Sequence, residues 1–483
     1  MSPLPTTAPG PEPASAPAAE AGSLLAIAAS AAAQGDYARS VVLATRALAL
    51  AGGGLLPVLE AQALAALAGA QARLGDGESA IQHGHRAIVL LKRSQDAGER
   101  ARVLCNLVVA YLCVGLPADA LACATAALEV ARATGDPSLV SWALNRCGST
   151  QRALGEAPRG LELLEEALRV AREHALVEEQ SSACNNLCGT LLAIAGTQSG
   201  DERARTLERA LDLGAQGLAL TQGVVNAYGA TMCHGVLAGA HLAAGHLDVA
   251  FAHALRSRTL AERHGYRLAA LTARIICASL ERERGRVDAA IALYEELLAE
   301  MRGTDDCDWV VAVHQGLHAS YTLRHAPAQA LEHLEALRHF DRQLQEQRAR
   351  RQVRVLLGKA DIEQASEPAA TAIEGRPAGS EFEIVGLDDL AARIGQPAAD
   401  REAEALHDRL ASRARTTDRV IRLDTTRLLV IHPETSLAAA AVAFDRLQAP
   451  ALDAGANGLR LRAIACRFVT VADVAATGPA SHA

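Results

Sequence analysis

Aromatic residues are scarce in this chain, making up 3% of its 483 residues against 50% for all hydrophobic types. Alanine, leucine and valine must therefore fill the interior, which suits close-packed helices and all but excludes an all-β architecture. Lysine is nearly missing too: Lys92 and Lys359 stand alone among 47 basic residues, a compositional habit without functional weight. Nor is there an excess of positive charge. The formal net charge is -8, so nothing draws the chain as a whole to phosphate backbones or anionic lipid, and neither nucleic acid nor membrane is expected as a partner. No apolar run reaches the roughly 18 residues that a bilayer-spanning helix needs. Residues 1–20 lack the basic region of a signal peptide, are dense in Pro and Ala, and are expected to be disordered. The ten cysteines are scattered through helical-looking sequence, unlike a secreted disulfide framework, which favours free thiols and a cytoplasmic location.

Motifs that carry chemistry are also wanting. There is no Gly-x-Ser-x-Gly elbow, no Walker glycine-lysine loop and no Gly-x-Gly-x-x-Gly after a strand. His314 and His318 are four apart on a predicted helix, but Gln315 stands where a zincin needs Glu and no third ligand is near. His83 and His85 are two apart and point to different helical faces. Cys184 and Cys188 share a face as a buried pair of thiols. Arg348, Arg350, Arg351 and Arg354 read as a solvated helix face. No catalytic residue, metal or cofactor is assigned.

What the sequence has in abundance is a ladder. Glycine recurs at Gly35, Gly75, Gly115 and Gly155, then at Gly245 and Gly285, a step of forty residues. The gap from Gly155 to Gly245 is two steps plus ten, which the polar stretch Gly196 to Arg205 supplies. Five residues after each glycine stands a small residue: Ser40, Ala80, Ala120, Gly160, Ala250 and Ala290, with Ala330 following His325 in the glycine's place. Twelve residues after come Ala47, Ala87, Ala127 and Ala167, then Ser257 and Leu297. Positions seven apart lie on one helical face, and small side chains there let a neighbouring helix approach closely. Each unit thus reads as a helical hairpin with the glycine at its turn. Neither hairpin face can be buried alone, so about eight hairpins between residues 21 and 340 are expected to stack into a solenoid, the fifth carrying the insertion.

These columns resemble the tetratricopeptide repeat, through Gly35, Asp36, Tyr37, Ser40, Ala47 and Leu48, and through Gly75, Asp76, Ala80, Ala87 and Ile88. The period of forty departs from the family's thirty-four and implies longer helices. The resemblance implies a groove that binds a protein or peptide.

Residues 341–365 are expected to form a connector helix and residues 366–380, rich in Pro and Gly, a flexible linker. From Glu381 the period changes: EFEIVGL, RLLVIHP and LRLRAIAC read as strands, DREAEALHDRLASRAR and TSLAAAAVAFDRLQ as helices, giving a small α/β domain over 381–475 before a tail at 476–483. This stretch resembles the GGDEF domain of diguanylate cyclases. Asp418, Val420, Ile421, Arg422 and Leu423 match the approach to the signature, Leu429, Val430, Ile431, Pro433 and Thr435 the strand and turn after it, and Gly395, Gln396, Ala399 and Asp400 an upstream motif. The signature itself has become Asp424, Thr425, Thr426, Arg427 and Leu428. Side chains occupy the phosphate turn, and the metal-binding acids are replaced by an alcohol and a cation. Glu383 aligns with the upstream metal aspartate, and Ala391 replaces the guanine-reading Asn. The resemblance implies a domain without cyclase activity. Arg415 and Asp418 match the family's product-inhibition motif and make cyclic di-GMP a candidate ligand, since Arg and Asp together can read a guanine edge.

The expectation is a mainly α, cytoplasmic interaction protein in which a TPR-like solenoid binds a partner and a degenerate GGDEF-like domain docks or senses. Alternatives are an active diguanylate cyclase and a TPR-type transcriptional co-regulator. A homodimer through the connector or the GGDEF-like domain is left open.

Overall fold

The computed structural model describes residues 16–52, 56–94, 96–221, 226–301, 307–337, 354–355, 378–414, 418–422, 426–432, 437–447 and 459–469. Of the start expected to be disordered, residues 1–15 lie outside these residues, whereas 16–20 are helical; most of the connector and nearly all of the linker also lie outside.

Helices come in pairs, as the ladder predicts: α1 (Ala16–Ala33) with α2 (Tyr37–Ala51), α3 (Pro57–Leu74) with α4 (Gly77–Ser94), α5 (Ala97–Cys113) with α6 (Pro117–Thr134), α7 (Pro137–Ala153) with α8 (Ala157–Glu173), α9 (Val177–Ala195) with α10 (Gly200–Thr221), α11 (Ala227–Ala243) with α12 (Leu247–His264), and α13 (Arg267–Glu283) with α14 (Val287–Glu300). An eighth hairpin joins α15 (Cys307–Leu323) to α16 (residues 327–337). The chain divides into two compact units, the first running essentially to Leu297 and the second from Leu298.

The hairpin corner explains the glycine column. Gly35 has φ 83° and Gly75 φ 92°, and at each the helix closes with paired backbone bonds: Gly35 N–H to Ala32 O, and Asp36 N–H to Ala31 O. Left-handed backbone of this kind strains any residue with a Cβ. The following Asp then caps the next helix, Asp36 accepting from Arg39 N–H at 3.1 Å. Both small-residue columns are buried: Ala80, Ala120, Ala250 and Ala290 are wholly inaccessible, as are Ala47, Ala87, Ala127 and Ala167. Gly160 shows why the column must stay small, since a Cβ there would stand 2.7 Å from the Gly148 carbonyl oxygen.

The ten-residue insertion does not form a loop. Its second half begins α10, which reaches 22 residues, so the extra length becomes additional helix. Hairpins are further stitched by buried hydroxyls donating to carbonyls on the partner helix: Ser141 to Ala167 at 2.9 Å, Ser181 to Gly217 at 2.9 Å and Ser257 to Thr231 at 3.0 Å.

The second unit contains a small α/β domain: β1 (Ala378–Val385), α17 (Leu387–Ile394), α18 (Gln396–Arg413), β2 (Arg419–Arg422), β3 (Arg427–His432), α19 (Leu437–Leu447) and β4 (Arg460–Phe468). The sheet order is β2-β3-β1-β4, and every adjacent pair is antiparallel. Phe382, Ile384, Leu406, Leu410, Leu428 and Val430 anchor its core. Two expectations shift. β1 begins at Ala378, inside the stretch read as linker, because Ala378 and Ser380 are buried between β3 and β4 and too small to signal a strand. Arg419–Arg422, not among the three stretches read as strands, forms β2, and the few residues between it and β3 close an antiparallel hairpin.

Candidate ligand-binding chamber

The first unit curls until its own turns meet. The Tyr266 hydroxyl donates to the Gly35 carbonyl at 2.5 Å across 231 residues of sequence. Tyr37, Tyr228 and Tyr266 form a cluster, Tyr228 meeting Tyr37 edge-on at 5.5 Å and Tyr266 at 5.2 Å. Half of the chain's six tyrosines are thus gathered at one seam. Leu268 closes it further, lying 3.1 Å from where a Cβ on Gly75 would be.

Inside this turn lies a cavity of about 760 Å³, walled mainly by α3, α5, α7, α9 and α11. Its inner tier is polar. Arg73 stacks over Tyr37 at 5.4 Å and donates to Gly69 O at 2.7 Å and Asn106 Oδ1 at 3.0 Å. Asn186 donates to Asn145 Oδ1 at 2.8 Å, and Asn145 donates to Ser182 Oγ at 2.7 Å. Arg146 lies over Trp142 at 6.0 Å, and its covered Nε has no hydrogen-bond partner in the protein; nor has Asn185 Oδ1. No carboxylate lies within ion-pair distance of Arg73 or Arg146 among the described residues. Burial, and then the charge of Arg73, holds the Arg146 guanidinium below its usual range.

The outer tier is acidic, formed by Glu99 in the first turn of α5 and Glu178 and Glu179 in that of α9. Glu99 faces Arg102 at 3.8 Å, and Glu179 accepts from the Ser138 hydroxyl. Burial first, then the charge of Glu179, raises the Glu178 carboxyl.

None of these residues is singled out by reading the ladder for small side chains. Reading it for polar ones finds them: Asn106, Arg146 and Asn186 stand at successive forty-residue steps, as do Asn145 and Asn185.

In the second unit, Arg415, Asp424 and Thr425 lie outside the described residues. Asp418 is buried and faces inward, 3.1 Å from His432 Nδ1, while His432 Nε2 meets Ser380 Oγ at 2.8 Å. This Ser-His-Asp line resembles a catalytic relay, but Ser380 is wholly inaccessible and His432 1% exposed, so it serves the core. Thr426 precedes β3, Arg427 pairs with Glu381, Leu428 is buried, and Glu383 pairs with Arg462. Among the histidines, His83 meets Gln71 and His85 meets Tyr111, on different faces as expected. His314 pairs with His333 at 3.0 Å and His318 with the Ala330 carbonyl at 2.8 Å. Among the described residues no group of three or more His, Cys, Asp or Glu could hold a metal ion. Cys184 and Cys188 are buried free thiols. No helix among the described residues is long and apolar enough to cross a membrane.

No curated protein matches the chain. Among solved structures, a thermophilic TPR protein of Thermus thermophilus aligns at 22% identity over 45% of this chain and 98% of its own, with a TM-score of 0.35. A STAND ATPase with a tetratricopeptide-repeat sensor from Pyrococcus horikoshii aligns at 17% identity over 58% and 43%, with a TM-score of 0.39. A Rap protein complexed with Competence and Sporulation Factor aligns at 15% over 68% and 76%, with a TM-score of 0.41. The tetratricopeptide-repeat family model matches residues 99–173, from the first turn of α5 to the end of α8, and the helical hairpins of this chain form a TPR-like solenoid.

Proposed function

We propose that the first unit binds a protein or peptide partner on the inner face of its solenoid, with no chemistry performed on it. One observation carries this reading. Two guanidiniums without carboxylate partners, with Asn106 bonded to one of them and Asn145 and Asn186 bonded to each other, occupy a cavity that a pure scaffold would fill with apolar side chains. Partly covered charge is costly to keep unless something pairs with it. Affinity capture with the full chain tests the reading. Met232 lines the same cavity, and Met232→Trp should fill it and abolish capture. A variant that still retains every partner would move the binding surface elsewhere.

For the C-terminal domain we read a non-catalytic docking or cyclic di-GMP-sensing module of GGDEF-like descent. What supports this is order along the chain: the altered signature follows β2 and runs into the first two residues of β3, and the Ala-rich α19 comes after that strand, as the resemblance implies. Both acids nearest the signature are held by cations, Glu381 by Arg427 and Glu383 by Arg462. Incubation with GTP and magnesium should yield no cyclic di-GMP, and turnover would reverse the reading. Calorimetry with cyclic di-GMP decides between docking and sensing; Arg415→Ala should remove any heat observed.

A further inference from the structure

We infer that the chamber's occupant is a short free peptide, about four residues long and bound by both of its charged ends: carboxylate inward at Arg73 and Arg146, amine outward at the acidic tier. This rests on the reading of the inner face as the binding surface and narrows it to a ligand class.

Three features of the chamber lead there. The first is the unmet valence of its inner tier. Arg146 Nε needs an acceptor and Asn185 Oδ1 a donor, both within one cavity wall. An occupant that offers a carboxylate together with N–H groups satisfies both, and a peptide end does so. A planar fork beside a second guanidinium suits a terminal carboxylate, which takes two hydrogen bonds in one plane. The second is polarity along the chamber. Acids stand at the first turns of α5 and α9, cations and amides deeper along the same helices or their neighbours. Glu178 and Glu179 share the outer end, where burial and then the charge of Glu179 raise the Glu178 carboxyl, so a cation there is favoured. The third is length. Glu178 occupies the repeat position of Ser138, eight residues before Arg146 in register. Eight residues of helix rise about 12 Å, the span of three to four residues of extended chain at about 3.4 Å each. The asparagines stand in the inner tier at the repeat level of Arg146, where the backbone amides next to the terminal carboxylate would pass. Tyr37 and Tyr228 of the seam wall one side of this space, and the acids at its outer end, set for a free amine, favour a free oligopeptide over the end of a folded protein.

The test uses the full-length protein and a defined mixture of tetrapeptides built from Ala, Leu, Ser and Gly, offered with both ends free, N-acetylated, or C-amidated. Retention is read by mass spectrometry after gel filtration. Free-ended members should be retained, and blocking either end should lower retention about tenfold or more, the worth of a charged hydrogen bond. Arg146→Gln should erase the penalty for amidation and leave that for acetylation, while Glu178→Gln should do the reverse. Equal retention of free and capped peptides, or no retention of any, overturns the inference. The broader reading falls only if Met232→Trp leaves partner capture intact, so the two failures are separable. Circular dichroism on each variant separates lost binding from lost fold.

Discussion

Gly148 and Gly160 show how little room single positions have. A Cβ on Gly148 would stand 2.6 Å from Leu164 Cγ and one on Gly160 2.7 Å from the Gly148 carbonyl, so α7 and α8 touch backbone to backbone. Gly160→Leu should destabilise the first unit by about 1–3 kcal/mol through overpacking, seen as a lower denaturant midpoint. An unchanged midpoint would mean that the helices can separate freely. In the second unit, His432→Leu takes the imidazole away from Asp418 and leaves the Ser380 hydroxyl without its partner in the core. A buried group left unpaired costs about 1–3 kcal/mol, so amides of β1 and β3 should exchange faster while those of α5 to α8 do not change. The ladder glycines and alanines were legible in the sequence because small size at a fixed interval has one physical meaning. His432, Ser380 and Asp418 were not: they come from three strand segments, and only the sheet register brings them together.

Between elements, the instructive case is the histidine pair that bridges α11 and α12. His234 Nδ1 lies 2.9 Å from His253 Nδ1, and His241 stacks on His253 at 5.5 Å. Eighty residues on, His314 and His333 repeat the arrangement at 3.0 Å. Burial, then the charges of His253 and Arg256, pushes His234 down to about 4. The folded state therefore binds fewer protons than the unfolded one between pH about 4 and the ordinary histidine value near 6.5. Stability from this pair is complete above that value and is lost as pH falls through the window. His234→Gln should flatten the fall in denaturant midpoint between pH 7 and pH 5. If the slope stays the same, the pair does not titrate with folding. Helix number and pairing could be read from the sequence, whereas the polar column of Asn106, Arg146 and Asn186 was hidden. Its spacing is the ladder's own, but the types vary, and only the curl of the helices reveals that these positions share one wall.

At the scale of the whole first unit, the tyrosine seam decides the outcome. Tyr266→Phe removes one hydroxyl bond to Gly35 and should lower stability by about 1 kcal/mol, while Tyr266→Ala should cost about 3–5 kcal/mol and loosen the chamber. Spin labels at Ser30 and Arg263 would report a broader distance distribution in the alanine variant; an unaltered distribution would show that the seam is held by other contacts. That closure could not be foreseen from periodicity, which fixes what each hairpin buries against the next but not how many complete a turn. Open arrays of repeats ordinarily tolerate the gain or loss of a unit, because each one meets only its immediate neighbours. A ring with a latch obeys a stricter arithmetic. Excising one forty-residue module between Gly35 and Tyr266 would leave the latch facing the wrong tooth, so evolution along this stretch is expected to proceed by substitution and by lengthening of helices, as in α10, with module number held constant.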